Sequence, residues 1–257
     1  QMNGAGVRFE HVHLAYGPAR PILRDGSFEI PSGKTFAVVG PSGCGKSTLL
    51  RIVAGLDSPS AGRVLVDGQA VAAPGADRGM VFQSYTLFPW LTVKENICFG
   101  LREKGMGRSE QEAIAARYLE RMGLRGFGEH YPKMLSGGMQ QRTAIARALA
   151  NDPKILLLDE PFGALDNQTR ALMQEFLLGI WESERKTVLF VTHDIDEAIF
   201  VASRVVVMSA RPGRIKSELK VDLPYPRHYT VKTTPQFSAY KARLTEEIRV
   251  EAIRAGV

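Results

Sequence analysis

One stretch of the sequence decides the fold, namely Gly40-Pro41-Ser42-Gly43-Cys44-Gly45-Lys46-Ser47-Thr48. It fits the pattern G-x-x-x-x-G-K-[ST] and lies between the apolar run Thr35–Val39 and the helical run Thr48–Ala54. Glycines let such a loop curl so that its N–H groups point inward at a phosphate, and the following helix adds its positive N-terminal end. This setting predicts a phosphate loop (residues 40–48) in which Lys46 reaches the terminal phosphates and the Ser47 hydroxyl ligates Mg²⁺.

The composition is that of an ordinary globular protein. The chain has 257 residues, 44% hydrophobic and 23% charged, which excludes a disordered tail, a fibre and a disulfide-stapled mini-protein. No apolar run approaches the roughly 18–20 residues of a membrane helix, and residues 1–10 lack the apolar core of a signal peptide. The two cysteines, Cys44 and Cys98, fit a reducing compartment. The net charge of +6 is compatible with an anionic ligand, a membrane surface or nucleic acid and discriminates among none of them.

Strand patterns of two kinds predict two sheets. Alternating stretches that suit an antiparallel sheet are Val7–Leu14, Ser27–Ile30 and Gly62–Val66, the last ending in the turn pair Asp67-Gly68. Continuous apolar runs, typical of parallel strands covered on both faces, are Thr35–Val39, Ile155–Leu158, Thr187–Thr192 and Arg204–Met208. Strand and helix alternate in the second half, which indicates an α/β sheet.

Two further segments have helical spacing. Lys94–Leu101 and Glu110–Met122 lie between glycine-rich connections and predict a helical lobe, about residues 84–140, inserted into the core. The C-terminal tail, about residues 235–257, carries a helical stripe of Phe237, Tyr240, Leu244 and Ile248. We expect this helix to pack on its own domain, the alternative being contact with a partner.

Two carboxylates end one of the apolar strands. Asp159 follows Ile155–Leu158 and could hold Mg²⁺ through the metal's water shell. Glu160 is one residue further along, where it could polarise a water against the γ-phosphate. The alternative is an acidic pair that caps a helix or forms a turn.

A second candidate anion site lacks a lysine. Ser136, Gly137 and Gly138, in the stretch Leu135–Gln140, come before the helical run Thr143–Ala150 and suit a helix N-terminus. A single triphosphate needs only one cradle, so an ordinary serine cap is the alternative.

Together these stretches resemble the nucleotide-binding subunits of ABC transporters. Further residues match that family in the same order along nearly the whole chain up to about Arg214. The resemblance implies that Tyr16 stacks on adenine, that Gln83, after the strand Gly79–Phe82, contacts Mg²⁺ and senses a membrane subunit, and that His193 contacts the γ-phosphate. It identifies Gly163-Ala164-Leu165-Asp166 as the D-loop, which links the two sites of a dimer.

The resemblance also implies a second copy of the chain. In this family two nucleotide-binding domains stack head to tail, so that each ATP lies between one phosphate loop and the partner's signature. Ser136, Gly137 and Gly138 would then act in trans.

Less general stretches resemble the ATPases of bacterial importers for nitrate, sulfonates, taurine and related compounds. They are Asp77–Gln83, Leu87–Val93, Asp166–Arg170, Ile180–Glu182 and Ala210–Ile215. Phe88, Pro89 and Trp90 lie beside Gln83 and could form a socket for a partner's helix, or else a small core cluster of the helical lobe. Cys44 could have its thiol pKa lowered by loop amides and Lys46 and so be open to alkylation, or be a small residue that fits.

We therefore expect an α/β P-loop NTPase core with an N-terminal antiparallel β lobe, together residues 1–83 and 141–220, and the inserted helical lobe. The resemblance implies an ATP- and Mg²⁺-dependent ATPase at the cytoplasmic face of the inner membrane. It would power uptake of a small anionic solute through separate permease subunits, served by a periplasmic solute-binding protein, with no nucleic acid partner. The alternative is a soluble ABC ATPase that acts on nucleic acid or the ribosome.

Overall fold

A computed structural model describes residues 4–17, 21–84, 86–163 and 165–254. Ala164 of the predicted D-loop, residues 1–3 of the predicted β lobe and residues 255–257 of the C-terminal tail lie outside the described residues.

The described residues form strands and helices in mixed order. The strands are β1 Val7–Ala15, β2 Pro21–Ile30, β3 Thr35–Val39, β4 Ala61–Val66, β5 Gln69–Ala70, β6 Arg78–Val81, β7 Ile155–Asp159, β8 Thr187–Val191, β9 Arg204–Met208 and β10 Ile215–Lys220. The helices are α1 Lys46–Ala54, α2 Val93–Glu103, α3 Arg108–Arg121, α4 Gly137–Ala150, α5 Asn167–Glu184, α6 Ile195–Val201 and α7 Pro235–Arg254, with short 3₁₀ segments at Pro132–Met134 and Tyr229–Thr233. Among these helices none is both long enough and apolar enough to cross a bilayer.

The larger sheet has the strand order β10-β9-β3-β8-β7-β6 and is parallel except for β10. Its strands are buried on both faces: Phe36 and Val38 pack against α1 and the smaller sheet, whereas Ala37 and Val39 pack in the cluster that holds the later helices. This double burial explains the continuous apolar runs in the sequence. The predicted α/β core is confirmed.

The smaller sheet is antiparallel with the order β2-β1-β4-β5. Asp67 and Gly68 form the hairpin between β4 and β5, both with positive φ (48° and 80°), as a tight primed turn requires. The predicted N-terminal β lobe is confirmed.

Helix α4 begins at Ser136 and the two glycines, where the sequence predicts a helix N-terminus. Ser136 caps the helix by accepting a hydrogen bond from the Met139 N–H (3.3 Å), and the first helical residue is Gly137. The predicted lobe boundary at residue 140 therefore falls inside one continuous helix.

Helix α7 packs on its own chain, as predicted. Phe237 and Leu244 are buried, and Tyr240 and Ile248 pack against the same cluster. Near the end of α7, buried Glu251 accepts hydrogen bonds from the Ala210 N–H (3.1 Å) and pairs with Lys216 (3.0 Å). The helix is thus pinned to the connection between β9 and β10.

Candidate nucleotide site

The phosphate loop and the predicted site residues that follow β6, β7 and β8 meet at one edge of the larger sheet. Val38 pairs with Val191, and Val191 with Asp159, so the carboxyl ends of β3, β8 and β7 lie side by side. Val81 of β6 pairs with Leu158. Parallel strands that end together bring the residues after them to one crevice, the usual place for a ligand in an open α/β sheet. The phosphate loop, Gln83, Glu160 and His193 all follow these strands.

The phosphate loop forms a cradle with a cation inside. The Lys46 ammonium donates hydrogen bonds to the carbonyls of Gly40 (2.8 Å) and Pro41 (3.0 Å), and the side chain is buried. Gly45 is the N-cap of helix α1 and has a φ of 103°, rarely adopted by other residues, and no side chain caps the helix. Its first N–H groups are left for an anion.

Ser47 and Asp159 offer oxygen atoms side by side. The Ser47 hydroxyl donates to Asp159 Oδ1 at 2.9 Å. Burial raises the pKa of Asp159, while the Ser47 hydroxyl and the charges of Lys46 and Arg51 oppose that shift. These hard oxygens beside a phosphate cradle fit Mg²⁺, which keeps part of its water shell. Gln83 is exposed one strand away, and no hydrogen bond within the described ranges joins it to either residue.

Glu160 and His193 form the other polar pair. Glu160 Oε2 lies 2.8 Å from His193 Nδ1 and 3.4 Å from the His193 N–H. Glu160 has φ of 48°, an uncommon conformation for a residue with a side chain, and its N–H donates to the carbonyl of Val191 (3.0 Å). The carboxylate is mostly shielded, with 13% of the side chain exposed, whereas His193 is 66% exposed.

Tyr16 is anchored by its hydroxyl and leaves its ring open. The hydroxyl donates to Asp57 Oδ2 (3.3 Å), and Arg51 of α1 holds the same carboxylate through two hydrogen bonds (2.8 and 3.1 Å). With 59% of Tyr16 exposed, its ring remains free to stack on a planar group.

Ser136, Gly137 and Gly138 do not join the phosphate loop. No hydrogen bond or ion pair in the described part of the chain connects them with residues 40–48, and Ser136 and Gly137 are exposed. Asp166 is also exposed and caps α5, accepting from the N–H groups of Gln168 and Thr169 (3.0 Å each). Hydrogen bonding by Thr169 lowers the pKa of this carboxyl.

The prediction that Cys44 has a lowered thiol pKa and is open to alkylation is wrong. Its thiol is completely buried, and burial raises its pKa, outweighing the opposite effect of Lys46. Cys44 is therefore a packing residue whose backbone belongs to the phosphate loop.

The connection Ser209–Arg214 packs against the phosphate loop and β2. No role in the site was predicted for this connection from the sequence. The Gly213 N–H donates to the carbonyl of Ile22 (2.8 Å), and its carbonyl accepts from the Arg24 N–H (2.9 Å). A β-carbon at Gly213 would lie 2.0 Å from the carbonyl oxygen of Cys44. The stretch Ala210–Ile215 was visible in the sequence, but the contact depends on tertiary packing.

Of the two aromatic residues Phe88 and Trp90, which follow Gln83, the first is packed and the second is exposed. Phe88 is partly buried, its ring centroid 4.4 Å from that of Phe99, and both its N–H and carbonyl are bonded to Asn96. Trp90 is 69% exposed. Phe88 and Arg147 line a groove of about 560 Å³ that also reaches Phe82 and Gly79.

The chain is similar to known ATP-binding proteins. The profile of the ABC transporter family matches residues 23–163. An uncharacterized ABC transporter ATP-binding protein of Methanocaldococcus jannaschii is 53% identical over 229 residues, 89% of this chain and 85% of the relative. A nitrate import ATP-binding protein of Synechocystis is 50% identical over 233 residues, covering 88% of both chains. An aliphatic sulfonates import ATP-binding protein of Bacillus cereus is 47% identical over 228 residues, covering 88% of both chains.

The fold has a solved counterpart with products bound. A dimeric ATP-binding cassette in a post-hydrolysis state, bound to ADP and Pi, superposes with a TM-score of 0.75 at 35% identity and covers 85% of this chain and 100% of that chain.

Proposed function

Since this chain belongs to the ABC transporter family and is an ATPase of that family, we propose that it drives uptake of a small anionic solute through separate permease subunits. One observation carries the proposed site: the phosphate loop, the Ser47–Asp159 pair and the Glu160–His193 pair meet at the carboxyl edge of one parallel sheet. Each part has the chemistry that ATP hydrolysis needs.

The proposed roles follow from the charge of each side chain and from its position at the site. Lys46 and the loop N–H groups bind the phosphates, and the Tyr16 ring stacks on adenine. Ser47, Asp159 and Gln83 would hold Mg²⁺, which when bound offsets the negative charge of the phosphates. Glu160 orients a water and accepts its proton as the water oxygen attacks the γ-phosphorus and the bond to ADP breaks, releasing ADP and phosphate. His193 holds both Glu160 and the γ-phosphate.

A second copy completes the site in this proposal. Ser136–Gly138 form a capped helix N-terminus that, among the described residues, makes no hydrogen bond to its own phosphate loop. Their N–H groups are therefore available to a phosphate bound by another chain. The solved cassette bound to ADP and Pi is dimeric, which supports a dimer as the form that handles nucleotide. Asp166 and the rest of the D-loop would lie between the two sites.

The groove beside Gln83 is the proposed contact with the permease. Exposed Trp90 and the partly buried Phe88 offer aromatic surface next to a cavity of about 560 Å³, which suits a short helix of a partner. The segment 84–140 would thus transmit the permease's position to Gln83. The chain would lie peripherally at the cytoplasmic face of the membrane, with a periplasmic solute-binding protein delivering the solute.

The proposed class of solute is taken from the names of similar proteins. Nitrate and sulfonates, named for two of them, are both small anions. An ATPase subunit does not itself touch the solute in this proposal, so the test of solute is uptake of labelled nitrate or sulfonate by cells with and without the chain and its permease.

ATPase measurements on the purified chain test the proposed site. Lys46→Ala should lose nucleotide binding, and Glu160→Gln should keep binding while turnover falls by about 10²–10⁴-fold. Glu246→Gln, a change at an exposed carboxylate of α7 paired with Arg249, is the matched control and should hydrolyse ATP normally. Full turnover by Glu160→Gln would remove Glu160 from the proposed chemistry.

A further inference from the structure

Arg170 of α5 joins two segments that flank the proposed site. Its Nη2 donates to the carbonyl of Leu165 at 2.9 Å, in the stretch that resembles the D-loop. Its other nitrogens lie 3.8 Å from Asp194 Oδ2 and 3.6 Å from Glu197 Oε1. One guanidinium therefore bonds to the Leu165 backbone and is paired with two of the carboxylates that follow His193, those of Asp194 and Glu197.

These carboxylates fix the backbone on each side of His193. Glu197, which is 3% exposed, accepts a hydrogen bond from the Thr192 hydroxyl (2.7 Å). The Thr192 oxygen in turn accepts from the Asp194 N–H (3.0 Å), and Asp194 caps α6 by accepting from the N–H groups of Asp196 and Glu197 (2.8 and 3.2 Å). The position of His193, and with it the contact to Glu160, depends on this cluster.

We propose that Arg170 is a positioning residue that couples the stretch ending in Leu165 and Asp166 to the His193–Glu160 pair. The guanidinium is hydrogen-bonded on the Leu165 side and only loosely paired on the His193 side, so a shift of the Leu165 carbonyl toward α6 would tighten the contacts to Asp194 and Glu197. Because Arg170 would act through His193 and Glu160, the inference rests on the proposed function.

The charges around Glu197 provide a separate readout. Burial raises the pKa of Glu197 to about 7, and the negative charges of Asp194 and Glu160 act in the same direction. The Thr192 hydroxyl and Arg170 oppose that shift, and Lys232 of the 3₁₀ segment also faces this cluster. Removing Arg170 should therefore raise the pKa of Glu197 further and leave it protonated at neutral pH.

The experiment compares Arg170→Met, Arg170→Lys and Glu197→Gln. Arg170→Met should lower kcat by about 10-fold with little change in the KM for ATP, since the phosphate loop is intact, and Arg170→Lys should recover part of the loss. If ionised Glu197 is needed, wild-type kcat falls as the pH drops through about 7, and in Arg170→Met the fall should begin at higher pH. Glu197→Gln should lack this acid limb, and adding Arg170→Met to it should cause a smaller loss than in the wild-type background, because only the contact to Asp194 remains to be lost.

Arg121→Met is the matched control. Arg121 is similarly exposed (33% against 27% for Arg170) and pairs with Glu184 at the other end of α5. Its loss should leave kcat and the pH profile unchanged. Melting curves identify any variant that fails to fold, in which case Arg170→Lys and Glu197→Gln supply the same readouts.

Two failures can be told apart. An Arg170→Met protein, or the two milder variants if it does not fold, with wild-type kcat and pH profile would overturn the role of Arg170 alone. A Glu160→Gln protein with full turnover would instead overturn the proposed function.

Discussion

At the scale of single residues, the thiol of Cys44 lies inside the phosphate loop yet is completely buried. Alkylation of the folded protein should therefore require local opening, and we expect labelling at least about 100-fold slower than in the denatured chain. Peptide-level mass spectrometry distinguishes Cys44 from Cys98, which is also buried. Fast native labelling of Cys44 with loss of ATPase activity would contradict this packing.

Asp166 has a structural role that can be separated from its proposed role in the site. Asp166→Ala removes the oxygen that caps α5 and should lower the melting temperature by about 2–4 °C, whereas Asp166→Asn keeps an acceptor and should melt like the wild type. If the charge also serves between the two sites, Asp166→Asn should lose ATPase activity. An Asp166→Asn protein with normal ATPase activity would limit the role of Asp166 to capping α5.

The site residues that belong to short sequence motifs could be predicted from the sequence, because chemistry at a strand end needs particular residue types at particular positions. Lys46, Ser47, Asp159, Glu160 and His193 are of this kind. The contacts of Arg170 were not, since they depend on how α5 packs beside α6. The close approach of Gly213, in the connection Ser209–Arg214, to the Cys44 backbone likewise depends on tertiary packing.

At the scale of elements, that connection braces the phosphate loop. Gly213→Ala would place a methyl group 2.0 Å from the Cys44 carbonyl oxygen, so the loop must shift, and kcat/KM for ATP should fall by about 10–100-fold. Gly179→Ala on α5, where a β-carbon meets nothing within 4 Å, is the control and should keep activity. Normal kinetics in Gly213→Ala would show that the connection does not position the phosphate loop.

Buried strands were the most predictable elements. Apolar runs of five or six residues predicted β3, β8 and β9 to within a residue, because both faces of these strands are covered. The start of α4 was also predictable, because a serine before two glycines is a helix N-cap signal, and Ser136 does cap the helix.

At the scale of the whole molecule, Trp90 tests the proposed contact with the permease. Trp90→Ala should weaken co-purification with the permease subunits without lowering the melting temperature, because the side chain is 69% exposed. Phe88 is not used for this test, because it packs on Phe99 and its loss would disturb the fold as well as the contact with the permease. Tyr229→Ala, at a residue 56% exposed far along the chain, is the control. Undiminished co-purification and transport by Trp90→Ala would move the permease contact elsewhere.

In the proposed mechanism two copies of the chain share each ATP, one through its phosphate loop and the other through Ser136–Gly138. Light scattering of Glu160→Gln tests it most directly, since this variant should bind Mg·ATP without hydrolysing it. We predict a monomer without nucleotide and a dimer with ATP. Adding Ser136→Arg should abolish the dimer while the chain's own phosphate loop still binds ATP. A protein that stays monomeric with saturating ATP, or a dimer that survives Ser136→Arg, would contradict the account.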